Sequence, residues 1–317
     1  MSPNSWICLH PSNATQTTVS LDNRGLAYGD GFFTTMGVID GQILWLDYHQ
    51  QRLVSHAVAL QLQLDSFSLL TVLKTHAKQL QQGMLKLIIT RAEQEVRGYG
   101  YTPNTGGGSA CEIWLKSSPM AITTARSLPL ADGQFIPLQP TASAICLSSQ
   151  IACLPPTLAG LKSLNRLDNV LASGELQAIK AKTLAGTIKP SIAEGLLRDM
   201  SGRWVEGTMS NVFYQLVEAP VAKSSNRPHS QNNSNSNYLT QGQWYTPSMA
   251  QSGVAGVMRQ VIIDTLSTSN NPVIIRSLQD EDLPHLSQLF FCNALRGVMP
   301  MTSLRLLSGE VVGFEAI

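Results

Sequence analysis

Lys162 lies in the stretch AGLKSLNRLDNV, among small and apolar residues and just past the loop-like LPPT. On an open helix face such a lysine is an ordinary charge. Held in a pocket, its amine loses pKa and becomes a nucleophile or a general base. Glu206, in WVEGTMSNVFY, ends a strand-like run between apolar and small residues. A carboxylate there either has a partner or simply caps a hairpin. Arg52, in YHQQRL, is a solvated charge unless it faces an anion, for which its fork of donors suits phosphate. SGVAGVMRQ reads as a glycine-containing turn opening a helix, where backbone N–H groups form a natural phosphate site. In RGLAYGDGFFTT the closely spaced glycines precede a strand, either as a plain tight turn or to let backbones approach closely.

None of these pieces is specific alone, but the set is. A reactive lysine, an arginine with a helix N-terminus for phosphate, and a carboxylate for a ring nitrogen are what pyridoxal 5′-phosphate (PLP) requires.

These side chains have to be carried by a scaffold, and the sequence supplies one of α+β type in two domains. GFFTTMGVIDGQILWL reads as two strands around a turn at Asp40-Gly41. DYHQQRLVSHAVALQLQL has apolar residues at helical spacing with Asp47 as N-cap, and SFSLLTVLKTHAKQL gives a second helix. GMLKLIITRA and CEIWLKSS are strand-like. Periodicity then breaks near Pro119, Pro129 and Pro137. The expected organisation is a smaller N-terminal domain over 1–120, a connection over 121–137, and a larger strand-rich domain over 138–317. In the latter a strand TASAICLSS precedes the Lys162 segment, a helix runs through RLDNVLASGELQAIKAK, and consecutive strands turn at Ser201-Gly202. The polar stretch 221–238 cannot bury a core and reads as a surface loop.

With 317 residues, 43% hydrophobic and 14% charged, and a net charge of +1, the chain describes an ordinary soluble protein that does not engage nucleic acid. No signal peptide and no bilayer-spanning segment is expected, so the reading is cytoplasmic. The five scattered cysteines suggest reduced thiols, not a disulfide framework or a metal site.

The order of RGLAYGDGFF, HQQRL, LIITR, GLKSLNRLDNV, VEGTMSNVF, YTP, GVAGVMRQ and FFCNALRGVMP closely resembles the fold-type IV PLP enzymes, the branched-chain and D-amino-acid aminotransferase superfamily. The resemblance spans nearly the whole chain. It implies that Lys162 forms the Schiff base, Glu206 partners the pyridine nitrogen, and Arg52 holds phosphate. It also implies that the amides of Val257 and Met258 hold phosphate and that Asn293 adds cofactor contacts. A homodimer is expected.

Within the superfamily the chain is most similar to the aminodeoxychorismate lyases, through GDGFFTT, the Asn-Arg-Leu after the lysine, and VRGYGY. This implies release of pyruvate from 4-amino-4-deoxychorismate to give 4-aminobenzoate for folate. Arg97 is then the expected carboxylate clamp, with Arg166 and Arg296 as lesser ones. Thr34 and Thr35 stand near the departing group, or serve only the strand. A D-amino-acid or branched-chain aminotransferase would use the same lysine, and a non-catalytic PLP-binding relative is the remaining alternative.

Overall fold

A computed structural model describes residues 6–10, 18–103, 108, 110–122, 126–129, 135–184, 192–217, 239, 241–267 and 269–314. The polar stretch 221–238 and residues 105–107 of the TGGG run lie outside the described residues.

The chain begins with β1 (Trp6–His10), α1 (Arg24–Tyr28), β2 (Gly31–Ile39), β3 (Gln42–Ile43), α2 (Leu46–Ala59), α3 (Ser66–Leu80), β4 (Gly83–Arg91) and β5 (Cys111–Pro119). The strands form one sheet in the order β1-β5-β4-β2-β3. The β2–β3 hairpin turns at Asp40 and Gly41, both at positive φ, as its right-handed twist requires. Phe32, Met36, Leu85, Leu87 and Ile89 alternate onto one face and pack under α2 and α3 through Leu53, Leu70 and Leu73. Two local readings change. The glycine-rich RGLAYG contains a helical turn capped by Asn23 and ended by Gly29 at φ 64°. Helix α2 is preceded by Trp45 in the left-handed region, so Asp47 sits in the first turn, where its charge meets the helix dipole, and is not the cap.

The rest comprises β6 (Arg126–Pro129), β7 (Phe135–Leu138), β8 (Ala142–Ile151), α4 (Leu167–Leu184), β9 (Ile192–Asp199), β10 (Trp204–Gly207), β11 (Asn211–Leu216), β12 (Tyr245–Thr246), α5 (Val257–Leu266), β13 (Ile274–Ile275), β14 (Leu286–Asn293), β15 (Gly297–Arg305) and β16 (Val311–Gly313). Strand β8 pairs with β9, β9 with β10, β10 with β11, β11 with β14, β14 with β15, and β15 again with β8. That circuit is a closed barrel. Cys146, Leu196, Trp204, Val212, Tyr214 and Phe291 cluster in one core, while the alternate residues Ile145, Leu147 and Val205 lie under Ala172 and Leu176 of α4. Phe213, Phe290 and Cys292 lie under Val257, Met258 and Val261 of α5.

Strands β6 and β7 belong to this second sheet, so much of the stretch read as a connection carries sheet structure. Prolines 129 and 137 fit there because both strands lie at or near its edge.

Candidate active site

Residues 152–166, between β8 and α4, are fixed on two sides. Because β3 covers only Val38 and Ile39, the opening half of β2 has an edge to share. Phe33 N donates to Lys162 O at 3.0 Å and Leu164 N donates to Gly31 O at 3.0 Å, with Phe32 and Ser163 bridged antiparallel. On the other side Ala255 N donates to Gly160 O at 2.9 Å. Gly160 is at φ +76°, where a side chain would be strained.

Lys162 is half-buried, with its amine 4.6 Å from the Phe33 ring centre. Burial of the amine, reinforced by the positive charge of Arg52, brings its pKa down to about 8; Arg166 and Lys86 act the same way, and Glu206 opposes them. A neutral amine is therefore available close to physiological pH.

Glu206 is 3% exposed on β10. Its Oε2 accepts from Val254 N at 2.8 Å and its Oε1 from Asn169 Nδ2 at 3.3 Å. Burial pushes its pKa upward, against the Val254 N–H and the charge of Arg166. A second buried carboxylate, Glu194, holds the turn after it by accepting from Thr208 N at 3.0 Å and Ser210 Oγ at 2.7 Å.

The anion-type pole is built from α2 and α5. Arg52, buried on α2, donates Nη2 to Ala255 O at 2.7 Å and so lies against the start of α5. Helix α5 opens at Gly256 with no side-chain cap and no acidic residue in its first turn. Its early N–H groups lack intrahelical acceptors and carry the positive end of the dipole. A Cβ at Gly256 would stand 1.9 Å from Asn211 Oδ1, so only glycine lets the helix start here. Val257 and Met258 are buried at this start.

The other expected residues are distributed unevenly. Asn293 links two turns: its Oδ1 accepts from Leu295 N and Arg296 N, and its Nδ2 donates to Met209 O. Arg166 donates to Leu161 O, and its buried Nε has no partner among the described residues. It borders a cleft of about 590 Å³ shared with Arg24, Asp30, Arg91, Tyr99 and Tyr101. Arg97 is exposed on the loop after β4, a loop tethered by Arg24 to Gly98 O and Tyr99 O. Arg296 is also exposed.

Thr34 does not face Lys162. It is fully buried toward α2, with Oγ1 2.9 Å from His49 Nδ1 and receiving Arg52 Nη1 at 3.5 Å. Strand alternation puts Thr35 on the Phe33 face instead, paired in register with Lys86. Lys86, whose Nζ lies 5.4 Å from the Phe33 ring centre, went unread in the sequence. Its signal was a lone charge within the alternating apolar strand GMLKLIITR. His49, His56, Asn169 and Asn211 were also missed, because their partners come from distant segments.

The arrangement thus pairs a depressed-pKa amine with a buried carboxylate and a basic helix-start pole. Four cations act around Lys162 and Glu206 (Lys162 itself, Arg52, Arg166 and Lys86) against the one carboxylate. Such a surplus favours an anionic ligand. Residues 31–304 match the amino-transferase class IV family. The chain belongs to that family. Among class IV relatives, an aminodeoxychorismate lyase of Vibrio harveyi is 23% identical over 290 residues, 91% of this chain and 88% of that protein. The 4-amino-4-deoxychorismate lyase structure of Pseudomonas aeruginosa superposes with a TM-score of 0.68 at 29% identity, covering 94% of this chain and 91% of that one. The Escherichia coli branched-chain amino acid aminotransferase, at 18% identity, shares the fold with a TM-score of 0.62 over 90% of this chain and 80% of that one. The α+β reading and the fold-type IV resemblance both agree with this class IV membership.

Proposed function

We propose that this class IV protein is a PLP-dependent lyase that eliminates pyruvate from 4-amino-4-deoxychorismate, leaving 4-aminobenzoate for folate synthesis. The observation that carries the reading is the buried Lys162 amine set among Arg52, Arg166, Lys86 and Glu206. The lyase names of the Vibrio and Pseudomonas relatives support it.

The residues fit PLP. Arg52 and the amides opening α5 suit a phosphate, and the buried Glu206 suits a protonated ring nitrogen. When bound, PLP supplies an electron sink for the carbon bearing the amine. The Lys162 amine is the general base that removes the proton from that carbon. The electron pair of that C–H bond forms the new ring double bond as the bond from the adjacent carbon to the ether oxygen breaks; pyruvate leaves as its enolate, takes up at its methylene carbon the proton held by Lys162, and the ring becomes aromatic. The chain's task is chiefly to aim the C–H bond at the amine and exclude competing geometries. Arg166 and Lys86, whose charges act on Lys162, are the cations we assign to the two substrate carboxylates, with Arg97 on an exposed loop as a further clamp. Thr35, not Thr34, is the hydroxyl on the Lys162 side of β2.

A transaminase would share the lysine and the carboxylate, and the fold of the E. coli enzyme keeps that reading in the test. Incubated with aminodeoxychorismate, the protein is expected to release pyruvate and 4-aminobenzoate in equal amounts, at a rate independent of added keto acid. Efficient conversion of D-alanine or a branched-chain amino acid with 2-oxoglutarate, and an unconsumed aminodeoxychorismate, replaces the lyase by the transaminase.

We also propose a homodimer in the cytoplasm. Leu167, Val170 and Leu171 are exposed at the start of α4, as are Leu26 and Tyr99 near the same cleft. Apolar surface of this kind needs a cover. Sedimentation at micromolar concentration is expected to give twice the chain mass, and a fully active monomer rejects the dimer. The five cysteines are unpaired, in keeping with a reducing compartment. Among the described residues no helix is long and apolar enough to cross a membrane.

A further inference from the structure

Helix α2 buries three nitrogen-bearing side chains at spacings of three and four residues, His49, Arg52 and His56. They share one face of the helix. Two of them have been accounted for: Arg52 meets the start of α5, and His49 holds Thr34 beneath it. His56 points at Lys162. The Lys162 backbone N–H donates to His56 Nε2 at 2.9 Å. Because Nε2 accepts, the imidazole proton sits on Nδ1, which lies 3.2 Å from Ser55 Oγ. That hydroxyl donates its own proton to Arg52 O at 3.2 Å. A continuous chain therefore runs from Lys162 N–H through His56 and Ser55 to the carbonyl of Arg52.

The chain is part of a closed circuit. Arg52 reaches Ala255 O, and Ala255 N reaches Gly160 O, two residues before Lys162. The Phe32 ring stands edge-on to His56, 5.3 Å between centres, and fixes the imidazole plane. We propose that His56 is a positioning residue that sets Lys162 at a fixed distance from the anion pole, so that one helix holds both ends of the ligand. This rests on the PLP reading above, but the hydrogen bond can be read without it. His56 serves only while neutral, since a proton on Nε2 would face the Lys162 N–H. Burial, with the charges of Arg52, Arg166 and Lys162 around it, keeps it so by lowering its pKa to about 3.

The test compares His56→Leu, His56→Gln and Arg52→Ala in the full chain. In His56→Leu the capture of PLP by Lys162, followed as growth of the visible absorption, is expected to slow about tenfold for one lost buried hydrogen bond. Affinity of the PLP-free protein for pyridoxamine 5′-phosphate, which needs no bond to lysine, should stay unchanged. Arg52→Ala should do the reverse and weaken pyridoxamine 5′-phosphate by about 10- to 100-fold through loss of a charge-assisted contact. His56→Gln, whose amide oxygen can accept the same N–H, should recover capture. Amide hydrogen exchange at Lys162 should speed up in His56→Leu and return in His56→Gln, with or without PLP. If His56→Leu does not fold, Ser55→Ala at an exposed position gives a smaller change in the same direction. Unchanged capture and unchanged exchange in these variants overturn the proposal. A wild-type chain that takes up no PLP, while its Lys162 amide responds as described, overturns the PLP reading and leaves the link standing.

Discussion

Lys162→Ala is expected to lower turnover by about 10³-fold or more and to remove the visible absorption of the PLP-loaded protein. The amine has two uses in the proposed reaction, first binding the cofactor and then taking the substrate proton. Lys86 is a second amine on the Phe33 face, but it belongs to β4 and lies 5.4 Å from the Phe33 ring centre, against 4.6 Å for Lys162. Burial and the charge of Arg52 bring the Lys162 amine to about 8. Water reaching the vacated space would be a far weaker base. Small alkylamines added to the variant should restore part of the activity by occupying that space, and a variant with wild-type turnover would remove Lys162 and the proposed function together. Pyruvate release measured with and without methylamine decides the matter.

Mild acid is expected to destabilise the fold between pH 6.5 and 4.5, before any carboxylate pair is lost. His49 and His56 are buried and neutral, and both have pKa values well below the usual 6.5 because burial penalises the charged ring and Arg52 repels it. Arg166 and Lys162 add to the repulsion at His56. The unfolded chain takes up these protons below pH 6.5 and the native chain does not, so stability falls as the pH drops. At about 1.4 kcal/mol per pH unit, His56 alone costs about 2–3 kcal/mol by pH 4.5. That is a large share of a typical domain's 5–15 kcal/mol. Carboxylates with lowered pKa act later: Asp199, held near 2 by Ser201, Ser252 and Arg203 against the penalty of its burial, loses its contribution only at much lower pH. Glu206, pushed upward by burial, acts in the opposite sense and softens the slope. Urea melts of wild type and His56→Gln at pH 7.5 and 4.5 measure the effect. Equal slopes in the two proteins would reject it.

Both results depend on information of different origin. The amino-acid order alone marked most of the helices and strands and singled out Lys162, Arg52, Glu206 and the glycine-opened α5 as candidates, because periodicity and residue type are local properties. Helix α3 and the β2–β3 turn follow from spacing and from Asp40-Gly41 for the same reason. What the sequence could not determine is which face of a strand looks into the site. A one-residue step reverses it, so Thr34 turned out to hold Arg52 and Thr35 to share a face with Phe33 and Lys86. The barrel circuit and the inclusion of β6 and β7 in its sheet were likewise decided by long-range pairing. The depressed pKa of Lys162 is tertiary in the strict sense: burial is its largest cause, and the charges of Arg52 and Lys86 that add to it come from α2 and β4, segments far from Lys162 in the chain. So is the path from Lys162 through His56 and Ser55 to Arg52, whose middle members look like ordinary helix residues until the loop after β8 folds back onto α2. Burial and distance turn those residue types into a site, and both exist only once the two sheets have come together.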